Sequence, residues 1–141
     1  MKVSIDTNIL IGILQGSAEG NADQLKLHAR QVAGDELLIC GVVSVELAAH
    51  PGMTRARLNA FIQSTDLRLD LTMPVAAWEA ATDANHAFQQ RRRASAGTTS
   101  RRVPADFLIG AHALHRADAL LTRNPGDFAD FPGLALLVPR P

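Results

Sequence analysis

Three acidic residues, Asp6, Glu46 and Asp106, stand at the edges of apolar runs that lie far apart in the chain. Taking an isolated carboxylate out of water is costly unless it is protonated, paired or bound to a cation. Three carboxylates brought to one place would also repel one another. If the fold gathers them, a divalent ion is the simplest way to make the cluster tolerable, and carboxylates are the hard oxygen ligands that magnesium takes. An ion held this way can activate water for attack on a phosphodiester and offset the charge developing on phosphate oxygens. Taken singly, each acid has a plainer role: Asp6 and Asp106 as helix N-terminal charges, Glu46 as a solvated helix residue.

The elements that would position these acids follow from the spacing of apolar residues. Val3 to Ile5 predict a short strand, and Asp6-Thr7-Asn8 supplies capping chemistry for a helix over Ile9-Leu10-Ile11. Residues 22–33 predict a second helix, with Leu25 and Val32 seven apart beside Ala22 and Ala29, ended by Gly34-Asp35. Glu36 to Cys40 predict a strand, and a helix opening near Ser44 places Glu46 in its first turn. Pro51-Gly52 breaks that helix, and Thr54 caps another that carries Leu58, Phe61 and Ile62. A third strand spans Leu67 to Leu71. Pro74 then starts a long helix with Val75, Trp78, Ala81 and Phe88 toward the core, running into Arg91-Arg92-Arg93.

Residues 94–103 are rich in Ser, Thr, Gly and Arg without apolar periodicity and predict a mobile loop. A helix over Ala105 to His115 follows, with Phe107, Leu108, Ala111 and Leu114 on its apolar side and Asp106 in its first turn. Ala119 to Thr122 and Leu134 to Val138 give a fourth and a fifth strand. Strands alternating with helices predict a single α/β domain over residues 1–141, a central parallel sheet of four to five strands flanked by helices. In such sheets sites collect at the carboxyl ends of strands, so Asp6, Glu46 and Asp106 can face one crevice.

Composition sets outer limits. The chain has 141 residues, 47% apolar and 20% charged, enough for a substantial core and too apolar for a disordered segment. Fourteen basic residues balance fourteen acidic ones, so net charge names no partner. Cys40 is the only cysteine, which excludes an intrachain disulfide and points to a reducing cytoplasm. Asp6, Thr7 and Asn8 interrupt the N-terminal apolar run before a signal-peptide core is complete. No stretch approaches the ~20 apolar residues of a membrane span, and a soluble cytoplasmic protein without a membrane partner is expected.

Four segments carry a resemblance: Val3-Ser4-Ile5-Asp6-Thr7-Asn8-Ile9-Leu10, Ser44-Val45-Glu46-Leu47, Asp106-Phe107-Leu108-Ile109-Gly110-Ala111-His112-Ala113 and Leu121-Thr122-Arg123-Asn124-Pro125-Gly126-Asp127-Phe128. In this order and spacing the chain resembles the PIN-domain ribonucleases, most closely the VapC-type toxins of bacterial toxin–antitoxin pairs. The resemblance implies a PIN-like fold and a metal-dependent endoribonuclease. Asp6, Glu46 and Asp106 match the family's acidic residues around Mg2+ or Mn2+. Where many members carry an acid directly after the Thr-Arg pair, this chain has Asn124, with Asp127 three residues on. Either Asn124 contacts the metal through its carbonyl or a water, or Asp127 supplies the fourth charge, the reading we favour. Thr7 and Thr122, beside site positions, are placed to hydrogen-bond the carboxylates or water. The resemblance further implies cellular RNA as substrate, a cognate antitoxin and a homodimer as partners.

Other features have two readings each. Arg91, Arg92, Arg93, Arg101 and Arg102 run toward Asp106 and would form a phosphate-contacting arm, or else a solvated loop. The arm has no aromatic residue for stacking on bases. His112 and His115, three apart on a helix, are expected in packing or surface roles, Trp78 and Phe88 in a core stripe, and Cys40 as a small buried residue. The apolar run from Ile9 to Leu14 serves either the core or a partner interface. An aspartate-nucleophile phosphohydrolase would use an acid after the first strand, but the place for its second acid is Asn8. A PIN-like binding module that has lost activity is the remaining alternative, favoured by Asn124.

Overall fold

The computed structural model describes residues 1–96 and 104–140. Its elements in chain order are β1 (Lys2–Ile5), α1 (Thr7–Gln15), α2 (Ala18–Val32), β2 (Glu36–Cys40), α3 (Gly41–Leu47), α4 (Arg55–Ser64), β3 (Arg68–Asp70), α5 (Val75–Ala96), α6 (Ala105–Arg116), β4 (Ala119–Leu121) and β5 (Leu136–Leu137). The strands form one parallel sheet in the order β3-β2-β1-β4-β5, the α/β architecture that the alternating pattern predicts. Central strands carry uninterrupted buried runs, Val3 to Ile5, Leu37 to Cys40 and Ala119 to Leu121, because helices cover both faces. The edge strands β3 and β5 are shorter than the segments 67–71 and 134–138 suggest, and their residues are less buried.

The chain builds outward from β1 through β2 to β3, then returns to β1's other side for β4 and β5. Strand order therefore reverses between β1 and β4, the topological switch point where parallel sheets leave a crevice at their carboxyl ends. Ile5 pairs with Leu121, so Asp6 and Thr122, one residue beyond each, emerge side by side.

Several elements differ from their sequence-based outlines. α2 begins at Ala18, capped by Ser17 Oγ, and buries Gly20, Asp23 and Leu27. Leu25 and Val32, expected on its inner face, are 72% and 75% exposed. The cause is a close crossing of α1 and α2: a Cβ on Gly20 would lie 1.9 Å from the Gly12 carbonyl oxygen, so this face alone can meet α1. α3 opens at Gly41, directly after Cys40, so Glu46 is its penultimate residue rather than part of its first turn.

On α5 the buried positions are Ala77, Ala81 and Ala84, while Val75 and Trp78 are exposed. Trp78 is thus not core, whereas Phe88 meets Phe107 of α6 edge-on at 5.4 Å between ring centroids. α5 continues through Arg91, Arg92 and Arg93 to Ala96, so residues 94–96 are helical rather than loop, and the rest of the predicted loop, 97–103, lies outside the described residues. Of the Ile9 to Leu14 run, Ile9, Leu10 and Ile13 are core.

Candidate active site

Asp6 sits at the carboxyl end of β1, 4% exposed, and caps α1. Its Oδ1 accepts from the Thr7 N–H at 2.7 Å and its Oδ2 from the Thr122 hydroxyl at 2.7 Å. Both expected threonine roles hold: Thr122 reaches Asp6, and the Thr7 hydroxyl donates to Glu46 Oε1 at 2.6 Å. Thr7 therefore links the end of β1 to the last turn of α3, which compensates for Glu46 lying later in its helix than the sequence suggests. Thr122 Oγ1 also accepts from the Asn124 N–H at 3.0 Å, folding the segment after β4 back over the strand ends.

Asp106 lies in the first turn of α6, as expected, and is partly buried. Asp127 lies in a 3-10 turn over Pro125–Phe128, too short for any apolar periodicity to mark it in the sequence. That turn is pinned by Phe128 and Phe131, both buried, which fill the space a side chain on Gly110 would need: a Cβ there would lie 2.5 Å from the Phe131 ring. Asp6, Thr7, Asn8, Ile11, Glu46, Asp106, Asn124 and Asp127 line one cleft of about 360 Å³. All five acid and amide positions singled out in the sequence meet there. Asn8 and Ile11 were not among them, although Asn8 follows Asp6-Thr7 directly.

The electrostatics are those of like charges left unneutralised. Burial pushes the Asp106 carboxyl up to about 6, helped by the nearby charges of Asp6, Asp127 and Glu46. Asp6 is also raised by burial, opposed by its bonds to Thr122 and Thr7 and reinforced by Glu46 and Asp127. The donors are carboxylate and amide oxygens, the set a hard divalent cation requires. Among the described residues no three His, Cys, Asp or Glu side chains are gathered tightly enough to hold one ion as they stand. Asp127 is exposed and Glu46 and Asp106 are only partly buried, so these side chains have room to turn inward. The chemistry of the site thus fits a divalent ion.

The basic residues are divided. Arg91 is held by Asp130, at 2.7 and 2.9 Å, whereas Arg92 and Arg93 are exposed on α5. Arg101 and Arg102 lie outside the described residues. His112 is buried and faces Asp70, with Nε2 3.2 Å from the carboxylate, and His115 is exposed. Cys40 is buried, and burial raises its thiol pKa, as an inert core position should.

The PIN domain family model matches residues 3–134. The fold is similar to that of VapBC2 from Rickettsia felis bound to a DNA fragment from its promoter, with 20% identity over 99% of this chain and 100% of that one, TM-score 0.66. It is similar to VapBC-1 from nontypeable Haemophilus influenzae, with 20% identity over 98% of each chain, TM-score 0.68. A toxin-antitoxin complex from Klebsiella pneumoniae matches at 23% identity over 94% of this chain and 95% of that one, TM-score 0.58. No curated protein sequence matches the chain. No helix among the described residues is long and apolar enough to cross a membrane.

Proposed function

The chain belongs to the PIN domain family, whose members are nucleases, and from that premise we propose that it is an Mg2+- or Mn2+-dependent endoribonuclease, the toxin of a bacterial toxin–antitoxin pair. The observation that carries this reading is the convergence of Asp6, Glu46, Asp106 and Asp127 on one cleft, with Asp106 raised to about 6 by burial and by its neighbours' charge.

Asp6, Asp106, Glu46 and Asp127 would hold the ion, with the Asn124 carbonyl at the rim. When bound, the ion would offset the carboxylate charge, stabilise negative charge developing on the phosphodiester and make water a stronger acid. The chain's own residues do the rest. Thr122 and the Thr7 N–H fix the Asp6 carboxylate in one orientation. Thr7 occupies one oxygen of Glu46 and leaves the other to orient an attacking water. Arg92 and Arg93, exposed on α5, and Arg101 and Arg102 would contact RNA phosphates.

The similar VapBC structures support a cognate antitoxin as partner. A homodimer is supported by an apolar depression of about 560 Å³ lined by Val45, Leu71, Met73, Trp78 and Leu108, of which Val45, Leu71 and Trp78 are more than half exposed. The test is cleavage of labelled RNA by purified protein with Mg2+, with Mn2+, with chelator, and by Asp6→Asn and Asp106→Asn. Cleavage should require the ion, and each variant should lose on the order of 10³-fold, since a lost charge contact to the ion is worth several kcal/mol in the transition state. Equal cleavage in every sample would sink the proposal.

A further inference from the structure

Arg123 lies between Thr122, which binds Asp6, and Asn124, which lines the acidic cleft, yet its side chain crosses to α2. There its guanidinium meets Asp23 and Glu19. Asp23 is 3% exposed and Glu19 68%, so the pairing with Asp23 carries the contact and the Glu19 pair is screened by solvent. The Arg123 N–H donates to Asn8 Oδ1 at 3.3 Å, and the next N–H, that of Asn124, donates to Thr122 Oγ1 at 3.0 Å. Asp127 hangs on the same segment through its N–H to the Asn124 carbonyl, at 3.0 Å. The Arg123 side chain thus ties the start of the run from Thr122 to Asp127 to α2, while Phe128 and Phe131 pin its far end. α2 also meets α1 at the Gly12 and Gly20 crossing, and α1 begins at the residues that bind Asp6 and Glu46. A single helix therefore braces both α1 and the segment after β4, which Asn8 joins to one another.

We infer that Arg123 and Asp23 form a positioning pair that holds Asn124 and Asp127 in place for the cation while touching neither cation nor substrate. The inference rests on the reading of the cleft as a metal site. The pairing has a second consequence: it keeps a guanidinium from turning among the carboxylates, where it would compete with a cation for the same charge. Groups that orient a metal's ligands commonly change affinity by 10–100-fold when removed.

Two variants test this. Arg123→Met combined with Asp23→Asn removes both charges together and leaves no unpaired buried ion. Arg123→Lys keeps the charge but loses the fork that spans two acids. Two measurements apply to each: Mn2+ affinity by titration calorimetry, and amide hydrogen exchange without metal. The double variant should bind Mn2+ at least ~10-fold more weakly, with the amides of 123 and 124 exchanging faster while those of 120 and 121 keep their protection. Arg123→Lys should fall between it and the unaltered chain, and it carries the test if the double variant does not fold. Unchanged exchange at 123 and 124 overturns the positioning role, as does Mn2+ affinity within about twofold of the unaltered chain's. Should the unaltered chain bind no Mn2+, the metal reading of the cleft falls instead, and the two amides alone decide the positioning role.

Discussion

Asp6 and Asp70 stand at corresponding places in neighbouring parts of the sheet, one just past β1 and the other closing β3, and both are 4% exposed. Their surroundings are opposite. Asp70 accepts from Arg116 Nε at 2.8 Å and from a second guanidinium N–H at 3.3 Å, and also from the Thr72 N–H, with His112 at 3.2 Å. The Arg116 bonds hold its carboxyl down at about 2, despite desolvation. Among the described residues Asp6 receives only neutral donors, and the charged neighbours that bear on it are carboxylates that push it up. The same fold position can close a charge with the chain's own cation or leave it open. An open acidic cluster at the switch point of the sheet costs stability, and on the proposed reading a cation from solution would close it.

The sharpest way to break this comparison is to remove one acid from each cluster. Asp70→Asn removes a buried carboxylate that accepts from Arg116 and from the Thr72 N–H and should cost about 2 kcal/mol of unfolding free energy, read by urea denaturation, the worth of its charge-assisted hydrogen bonds, while Arg116, a third exposed, is left to solvent. Its RNA cleavage per folded molecule should stay within about twofold of the unaltered chain's, as no catalytic contact is lost. Asp106→Asn should do the reverse, abolishing cleavage while raising metal-free stability at neutral pH, by up to about 3 kcal/mol, as burial of the charge and its repulsion are relieved. Equal destabilisation by the two variants would show that Asp106 is a structural charge, and the contrast would collapse.

Acid titration sharpens the same contrast with a difference of sign. Asp106 is raised from 3.8 to about 6 in the folded chain. The native state therefore takes up a proton before the unfolded state does, and metal-free stability should rise as pH falls from about 7 toward 4. Asp70 is lowered from 3.8 to about 2, so its contribution is present above 3.8 and is lost as pH falls through 2. Each limb should amount to about 2–3 kcal/mol, the first being the larger. Asp106→Asn should shrink the first limb, leaving the share of Asp6, without touching the second, and Asp70→Asn should shrink the second without touching the first. Saturating Mn2+ should invert the first limb, since the ion binds the ionised carboxylates.

Much of the open cluster is legible in the sequence because its signals are local. Asp6-Thr7 ends a β-branched run and starts a helix, Asp106 follows Pro104 into another, and Thr122 ends a strand. Glu46 is harder: the helix starts at Gly41, where no side chain caps it, so the sequence offers no mark of its first turn. The closed cluster is invisible in the chain, since Asp70 and Arg116 are 46 residues apart and neither position has a local signature. The inner face of α2 was misread for a related reason. Leu25 and Val32 make a plausible apolar stripe, but the contact of Gly12 with Gly20 overrides it, and that contact exists only once two helices cross. Trp78 is a further case, a large apolar residue left outside because alanines occupy the face of α5 that is buried.

The smallest expected effect asks whether the distinction between closed and open charges extends to cations. Arg91 is closed by both oxygens of Asp130, while Arg92 and Arg93 are exposed on the same helix. Arg91 is itself 58% exposed, so its pair with Asp130 is screened, and Arg91→Ala should leave stability nearly unchanged. A phosphate contact has a different signature: its loss weakens RNA binding uniformly across sequences and lowers the slope of log affinity against log salt by about 0.7 on a single strand. Arg92→Ala or Arg93→Ala should show that change with no loss of stability, and Arg91→Ala should not. If Arg91→Ala lowers the salt slope as much as Arg92→Ala does, Asp130 does not withhold Arg91 from RNA. Closure by a partner in the chain would then separate structural from functional charges only where the pair is buried, as at Asp70, and not on the surface.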